Sequence, residues 1–406
     1  MATLRSFPAL RPAPEHADRV SAVPYDVVST EEARQLAAGN PLSFLHVSRP
    51  EIDLPPGTDP HAGEVYARAA ANFEALKQNA PLLSEGDPAL YVYRLRMGDH
   101  EQTGVAGTCS IDEYDADRIL RHERTRKDKE DDRTRHMIEL SAQTGPVFLT
   151  YRDMPAVDAL VEQTRRGQPL YDFTSEDGVR HTVWKMGAEV GYSAIDEFSR
   201  VPALYIADGH HRAKSASRAR EHYRELYPAD GGAGAFNFFL AVLFPASQVR
   251  ILAYNRVVSE LNGHSVPELL QALRKRFAVT EGAAPAPSRR GEISLFVGGG
   301  WYGLSPLDPA AAADDLDVSI LQEQVLEPLL GIRDIRTDKR VDFVGGIRGP
   351  AEIERRVRSG QAAAGFSLFP VSLDQVMAVS DAQGIMPPKS TWFEPKLRDG
   401  LLIHQI

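Results

Sequence analysis

The sequence predicts a mixed α+β protein, and three observations carry that prediction. Strand-length apolar runs alternate with helix-period segments through the last third of the chain. Two stretches, "ALYVYRLRM–GDHEQ–TGVAGTCSIDEY" and "YDFTSEDGVRHTVWKM", read as β-hairpins. A third, "YIADGHHRAKSASRAR" at 205–220, reads as strand, turn and helix.

Taken in order, the first segment is broken by prolines ("RPAP", "VPYD", "LPPGTDP"), with helices expected near 30–38 and 62–78. The first hairpin follows, with a longer loop at "GDHEQ". Then comes the densest charge run, "RILRHERTRKDKEDDRTRH". "GPVFLTY" is an expected strand, 154–166 a helix, and the second hairpin turns at Glu176-Asp177-Gly178. In the helix after "DGHHR", Ala213, Ala216, Tyr223 and Leu226 fall on one face, and Pro228 stops it. "FNFFLAVLF" and "QVRILAYNRVV" are further strands. Beyond Asn262-Gly263 the expectation is helix 265–277, strand "EISLFVG", a "GGGWYG" turn, helix 317–329, strand "VDFVGG", helix 350–359, strand "AAGFSLF" and helix 372–381. "EGAAPAPSRRG" and "PLDPAAAADD" read as Ala/Pro-rich surface connections. "GIMPPKSTWFEPKL" is rich in turn formers, the kind of loop that carries binding groups.

Composition narrows the function classes. The 406 residues are 43% hydrophobic and 25% charged, which is globular and long enough for two or three domains. A net charge of −10 argues against nucleic-acid binding, so any anionic ligand needs a local basic pocket. The single cysteine, Cys109, rules out an internal disulfide or a multi-cysteine metal site. Neither a signal peptide nor a membrane span is apparent, and the expected setting is cytoplasmic.

Three segments hold the candidate chemistry. In "DGHHR", three readings compete. Adjacent His210 and His211 point in different directions, so the spacing rules against a metal cage. A phosphate cradle fits better. Gly209 permits a tight turn, the helix start offers unpaired N–H donors, and Arg212 adds a bidentate fork. Asp208 could hold Mg²⁺ or orient a ligand hydroxyl. Read in isolation, the motif is equally an ordinary capped helix start with solvated histidines. In "RHERT", Glu123 stands among Arg121, Arg124, Arg126 and Lys127, where it would stay ionised as a base; a solvated charged loop is the simpler reading. In "MPPKSTWFEPK", Lys389, Ser390 and Thr391 suit a phosphate or carboxylate, while Trp392 and Phe393 suit plain core packing. No Walker A pattern, kinase Gly-rich loop, H-R-D loop or G-x-S-x-G elbow is present.

Together, "VPYDVV", "HERT", "YIADGHHR" and "MPPKSTWFEPKL" resemble, nearly end to end, a large prokaryotic family catalogued as a domain of unknown function. The order His-Glu, Asp-Gly-His-His-Arg, Pro-Lys-Ser-Thr also resembles, more distantly, the free L-serine kinases of the ParB/sulfiredoxin superfamily. That resemblance implies a ParB/sulfiredoxin-like core over 116–260, an N-terminal segment over 1–115, and a C-terminal α/β domain over 261–406 carrying the Pro-Lys-Ser-Thr loop. It implies catalytic roles for Glu123 and His122. It implies donor-phosphate binding by Asp208, Gly209, His210, His211 and Arg212, with Mg²⁺ at Asp208. It places the serine-like substrate at Tyr254, Arg256, Lys389, Ser390 and Thr391, and implies that the three segments meet at one pocket. The donor would be ATP, ADP or pyrophosphate, and the product O-phosphoserine. The chain departs from the kinases in its N-terminal extension and in the long 126–207 insertion, which includes Trp184. Sulfiredoxins carry a cysteine where His210 stands, and ParB proteins carry a different motif and bind DNA, so neither chemistry fits. A non-catalytic phosphate-sensing module is the alternative reading.

Overall fold

In the computed structural model, residues 2–79, 82–308 and 315–406 are described. The chain divides into two compact units: residues 1–249 with 395–406, and residues 250–394. The "PLDPAAAADD" connection falls largely outside the described residues. No helix among the described residues is long and apolar enough to cross a membrane.

The first unit is built on a nine-stranded mixed sheet. Its strands are β1 (Leu4–Arg5), β2 (Tyr91–Met97), β3 (His100–Ser110), β4 (Ile119–Leu120), β5 (Val147–Tyr151), β6 (Tyr171–Thr174), β7 (Arg180–Lys185), β8 (Leu204–Asp208) and β9 (Phe238–Pro245). The order is β4-β8-β5-β9-β3-β2-β7-β6, with β1 on β3. β4 runs parallel to β8, and β9 parallel to β5; the other pairs are antiparallel. Strands from 1–115 and from 116–249 therefore interleave in one sheet, where the sequence reading divides them. β5 and β9 are nearly continuous apolar runs buried along their lengths, as strands covered on both faces must be. Helix α1 (Thr30–Ala37) starts at a capping box from Ser29 and Glu32. Helix α2 (Gly63–Asn79) buries Ala69 and Phe73 with Phe44 and Leu45 in a second, smaller core. Residues 395–406 are stitched into this unit by bridges from Asp399 to Ala22, Ile403 to Leu10 and His404 to Gln143.

Two helices bracket the motifs. Helix α3 (Lys127–Leu140) follows "RHERT", and helix α4 (His210–Leu226) follows "DG". α4 turns Ala213, Ala216 and Ala219 to the core, while on its α3 side Ser215 Oγ donates to the Glu130 carbonyl at 3.3 Å. Leu226, expected on the apolar face, is 56% exposed because it lies in the last turn before Pro228.

The second unit holds a six-stranded sheet of β10 (Asn255–Val258), β11 (Phe277–Glu281), β12 (Ile293–Val297), β13 (Gly300–Pro306), β14 (Val341–Val344) and β15 (Ala364–Leu368). Their order is β11-β13-β12-β15-β10-β14 and every pair is antiparallel, so the expected α/β domain is α+β. Helices α5 (Val266–Leu273), α6 (Gly349–Arg358) and α7 (Leu373–Asp381) accompany it.

Several local expectations change. The first hairpin has a tight Gly98-Asp99 connection, because pairing continues to Met97↔His100. "GGGWYG" turns only at Gly298 and Gly299, both at positive φ, and then becomes β13. The expected helix 317–329 is α-helical only over Asp317–Leu321 and widens to a π turn over Gln322–Leu326. β11 falls where the sequence reading ended a helix. "QVRILAYNRVV" splits, because Ile251–Leu252 pair with Trp392–Phe393 while Asn255–Val258 join the sheet.

Candidate functional site

The parallel pairing of β4 with β8 is the local cause of the site in the first unit. Leu204 lies beside Ile119, and Tyr205 beside Leu120. Both chains then leave the sheet in the same direction. "RHERT" begins one residue after β4, and "DGHHR" begins at the end of β8. A bulge between Ile206 and Asp208 re-aims that strand end.

At the turn, Gly209 has φ +94°, the left-handed region that favours glycine. A Cβ there would lie 3.1 Å from Arg212 Nε and 3.4 Å from Val147 Cα, so no larger residue fits well. α4 starts at this glycine without a side-chain cap. His210 and His211 diverge, as their adjacency requires. His211 is half-buried, and its Nε2 accepts from the Arg126 N–H at 3.1 Å. His210 is buried, and its ring meets that of His122 edge-on, with centroids 4.6 Å apart. The ligand atoms of His122, Glu123 and His210 all lie within 4.8 Å of one another. Burial pushes the His122 imidazole down to about 4, against the pull of the Ile206 backbone and Asp208. Burial, helped by His122 beside it, holds His210 well below the usual histidine range. Both rings are neutral near pH 7.

Two expectations are corrected here. Arg212 does not aim its fork outward. It is buried; Nη1 donates to the Pro146 carbonyl and Nη2 to Asp208 Oδ2 at 3.1 Å. Burial works against its charge, but Asp208, Asp26 and Asp399 more than offset that and raise its pKa. Direct bidentate phosphate recognition thus gives way to bracing of the turn from inside. Two of the four cations expected around Glu123 also have other partners. Arg121 pairs with Asp117 at 2.8 Å and Arg126 with Asp128 at 2.8 Å, each satisfied within its own segment. Half-buried Glu123 has the imidazoles of His122 and His210 beside it.

Asp208 is a poor anchor for Mg²⁺. Its Oδ2 is shared by Arg212 at 3.1 Å and Lys396 at 3.6 Å. Mg²⁺ favours oxygen ligands in octahedral geometry, and a carboxylate already facing two cations supplies little.

Behind the turn lies a cavity of about 40 Å³, lined in part by Tyr25, Arg133, His136, Gln143, Arg212 and Asp399. Asp399 is buried, and its carboxyl is pushed up to about 7, by burial first, with Arg212 opposing and Asp26 adding. Sequence reasoning missed Lys396, Asp399, Tyr25 and Arg133. Tyr25 and Lys396 stood inside stretches singled out as motifs, "VPYDVV" and "WFEPKL", and that was the available signal.

In the second unit the expected substrate residues do gather. Lys389, at φ +58°, sits with Nζ 5.6 Å from the Tyr254 ring centre. Tyr254 meets Trp392 edge-on at 5.3 Å. Arg256 is buried; it donates to the Tyr254 carbonyl and, at 3.4 Å, to that of Pro388, so it props the loop. Burial lowers its pKa to about 10. Ser390 Oγ donates to the Pro387 carbonyl at 2.5 Å, and Thr391 is half-buried beside it.

Fold and motif arrangement therefore define a two-unit α+β protein with a histidine- and carboxylate-lined turn at the edge of a mixed sheet. The family model "Protein of unknown function (DUF1015)" matches residues 4–319, and the chain belongs to that family. No curated protein matches the sequence. Among solved structures, the chain is similar to a free serine kinase in complex with AMP, at 12% identity and a TM-score of 0.34, over 71% of this chain and 86% of that one. It is also similar to SbnI with a C-terminal truncation from Staphylococcus aureus, at 12% identity and a TM-score of 0.39, over 71% and 82%. A conserved hypothetical protein from Pyrococcus furiosus is similar at 12% identity and a TM-score of 0.33, over 73% and 94%.

Proposed function

We propose that this protein is a small-molecule phosphotransferase that phosphorylates the hydroxyl of free L-serine or a similar small alcohol. One observation carries the reading. A half-buried carboxylate, Glu123, stands beside a glycine turn that opens a 17-residue helix, and both are delivered by one parallel strand pair. The uncapped helix start and its dipole favour the donor's phosphates. Arg212, bound to Asp208 and Pro146, keeps that turn in shape.

In the reaction, Glu123 takes the proton of the acceptor hydroxyl. The freed oxygen forms a bond to the terminal phosphorus, and the bond from phosphorus to the bridging oxygen breaks. That oxygen leaves with the electron pair as part of ADP, AMP or phosphate, for ATP, ADP or pyrophosphate as donor. Such catalysis is mostly alignment and charge stabilisation. His122, directly before the base, packs edge-on against His210 and is assigned to hold Glu123 in place. Within the second unit, Lys389 beside the Tyr254 ring is the group suited to a small carboxylate.

The test is turnover with serine and each donor, following phosphoserine, for the full chain and for Glu123→Gln. Removal of the base is expected to cost about 10²–10⁴-fold. Tight donor binding without product from serine or any small alcohol would sink the enzyme reading and leave a phosphate-sensing module.

A further inference from the structure

We propose that His122, Glu123 and His210 form a binding site for a first-row transition-metal dication such as Zn²⁺, Mn²⁺ or Fe²⁺. The inference stands on the geometry of these side chains and does not need the phosphotransferase reading.

The first observation is convergence. Three side chains from two segments, separated by more than eighty positions in sequence, place their ligand atoms within 4.8 Å of one another. Bonds of about 2.1 Å to one ion need ligand atoms roughly 3.4 Å apart. A set whose atoms all lie within 4.8 Å of one another is within small adjustments of that spacing.

The second observation is independent. His210 is 7% exposed, and its Nε2 is buried with no hydrogen-bond partner among the described residues. Buried polar nitrogens are rarely left so, because the lost hydration is not replaced. A metal ion beside this nitrogen supplies what the protein does not.

The surroundings are those of a ligand histidine. The His122 ring is hydrogen-bonded to the backbone of Ile206, the kind of contact that fixes a tautomer and turns the other nitrogen towards an ion. Two imidazoles and one carboxylate form a borderline-soft set, which selects transition metals over Mg²⁺. Three protein ligands also leave coordination positions open, the pattern of reactive rather than structural sites.

The test uses the full chain, stripped with a chelator and titrated by calorimetry with Zn²⁺, Co²⁺ and Mg²⁺, with no donor or acceptor present. Co²⁺ adds a visible ligand-field spectrum that reports imidazole and carboxylate ligation. One equivalent of Zn²⁺ or Co²⁺ per chain is expected, with Mg²⁺ failing to compete. His210→Ala and Glu123→Gln should each weaken binding by more than about tenfold, the scale on which disturbing a metal's ligand shell is felt. His222→Ala, elsewhere on α4, should bind as the parent does. Circular dichroism shows whether each variant is folded; if His210→Ala is not, Glu123→Gln on its irregular segment decides. A folded parent that takes up neither Zn²⁺ nor Co²⁺ overturns the proposal, as does uptake that neither substitution changes. Phosphoserine formation is read separately, so failure of the metal site and failure of the kinase reading give different results.

Discussion

Asp399 should make the protein less stable as the pH rises through neutrality, the reverse of what a surface carboxylate does. It is 3% exposed, and its Oδ1 has no hydrogen-bond partner among the described residues. A Cβ on Gly145 would lie 2.2 Å from that oxygen, so the backbone presses close. Burial raises the carboxyl from 3.8 to about 7, although Arg212 pulls the other way. The sign follows from proton uptake. Between about pH 4 and 7 the folded chain holds a proton that the unfolded chain has released. Stability from this group is therefore complete below about pH 4 and is lost as pH rises through 7. At about 1.36 kcal/mol per tenfold change in proton affinity, the full loss is roughly 4 kcal/mol. Asp399→Asn keeps the shape of the protonated acid and cannot ionise. Urea unfolding of both proteins across this window isolates the group, since all other titrations are shared. The variant should gain on the parent by up to ~4 kcal/mol as pH rises. A difference between the two that stays flat from pH 4 to 8 would refute the reasoning.

Two further outcomes follow from the same residues and their neighbours. Gly209→Ala should cost roughly 1–2 kcal/mol, since a Cβ at positive φ meets its own backbone and here also Arg212; denaturation midpoints measure it, and an unchanged midpoint refutes it. His404, buried with Nε2 against the Ala235 carbonyl at 3.1 Å, has its pKa lowered by burial to about 4. A depressed histidine contributes stability that is present above pH 6.5 and lost as pH falls through 4, by roughly 3 kcal/mol here. His404→Gln should flatten that acid limb relative to the parent, and parallel limbs in the two proteins would contradict the assignment.

How much of this was legible in the sequence depended on how local each cause is. Helices α1 and α2, the second hairpin and the strand–turn–helix at 204–226 were readable, because caps, glycine turns and periodicity act within a few residues. The division into units was not. It depends on residues 395–406 returning to the first sheet and on strands from 1–115 and 116–249 pairing with each other, which are long-range choices. The split at Ala253-Tyr254 was hidden for the same reason: tertiary partners overrode a continuous local pattern.

At the site, sequence counting failed in an instructive way. Proximity in sequence made Glu123 look surrounded by cations, yet Arg121 and Arg126 found acids four and two residues away. Dense charge runs carry their own counterions, so net local charge says little about where a field points. The rejection of a metal cage was sound for the pair His210 and His211, which do diverge. It did not consider a histidine contributed by another segment. Only the β4–β8 register brings His122 to His210, and a two-residue strand gives almost no sequence signal. Likewise Arg212 looked like the outward phosphate hook, but its length lets it reach the Pro146 carbonyl and brace Asp208. The turn thus has two faces with different chemistry. Arg212, bonded to Pro146 and Asp208, braces it from within, while neutral imidazoles and Glu123 stand together on the histidine side. Two neutral imidazoles beside one carboxylate suit a site that receives a cation.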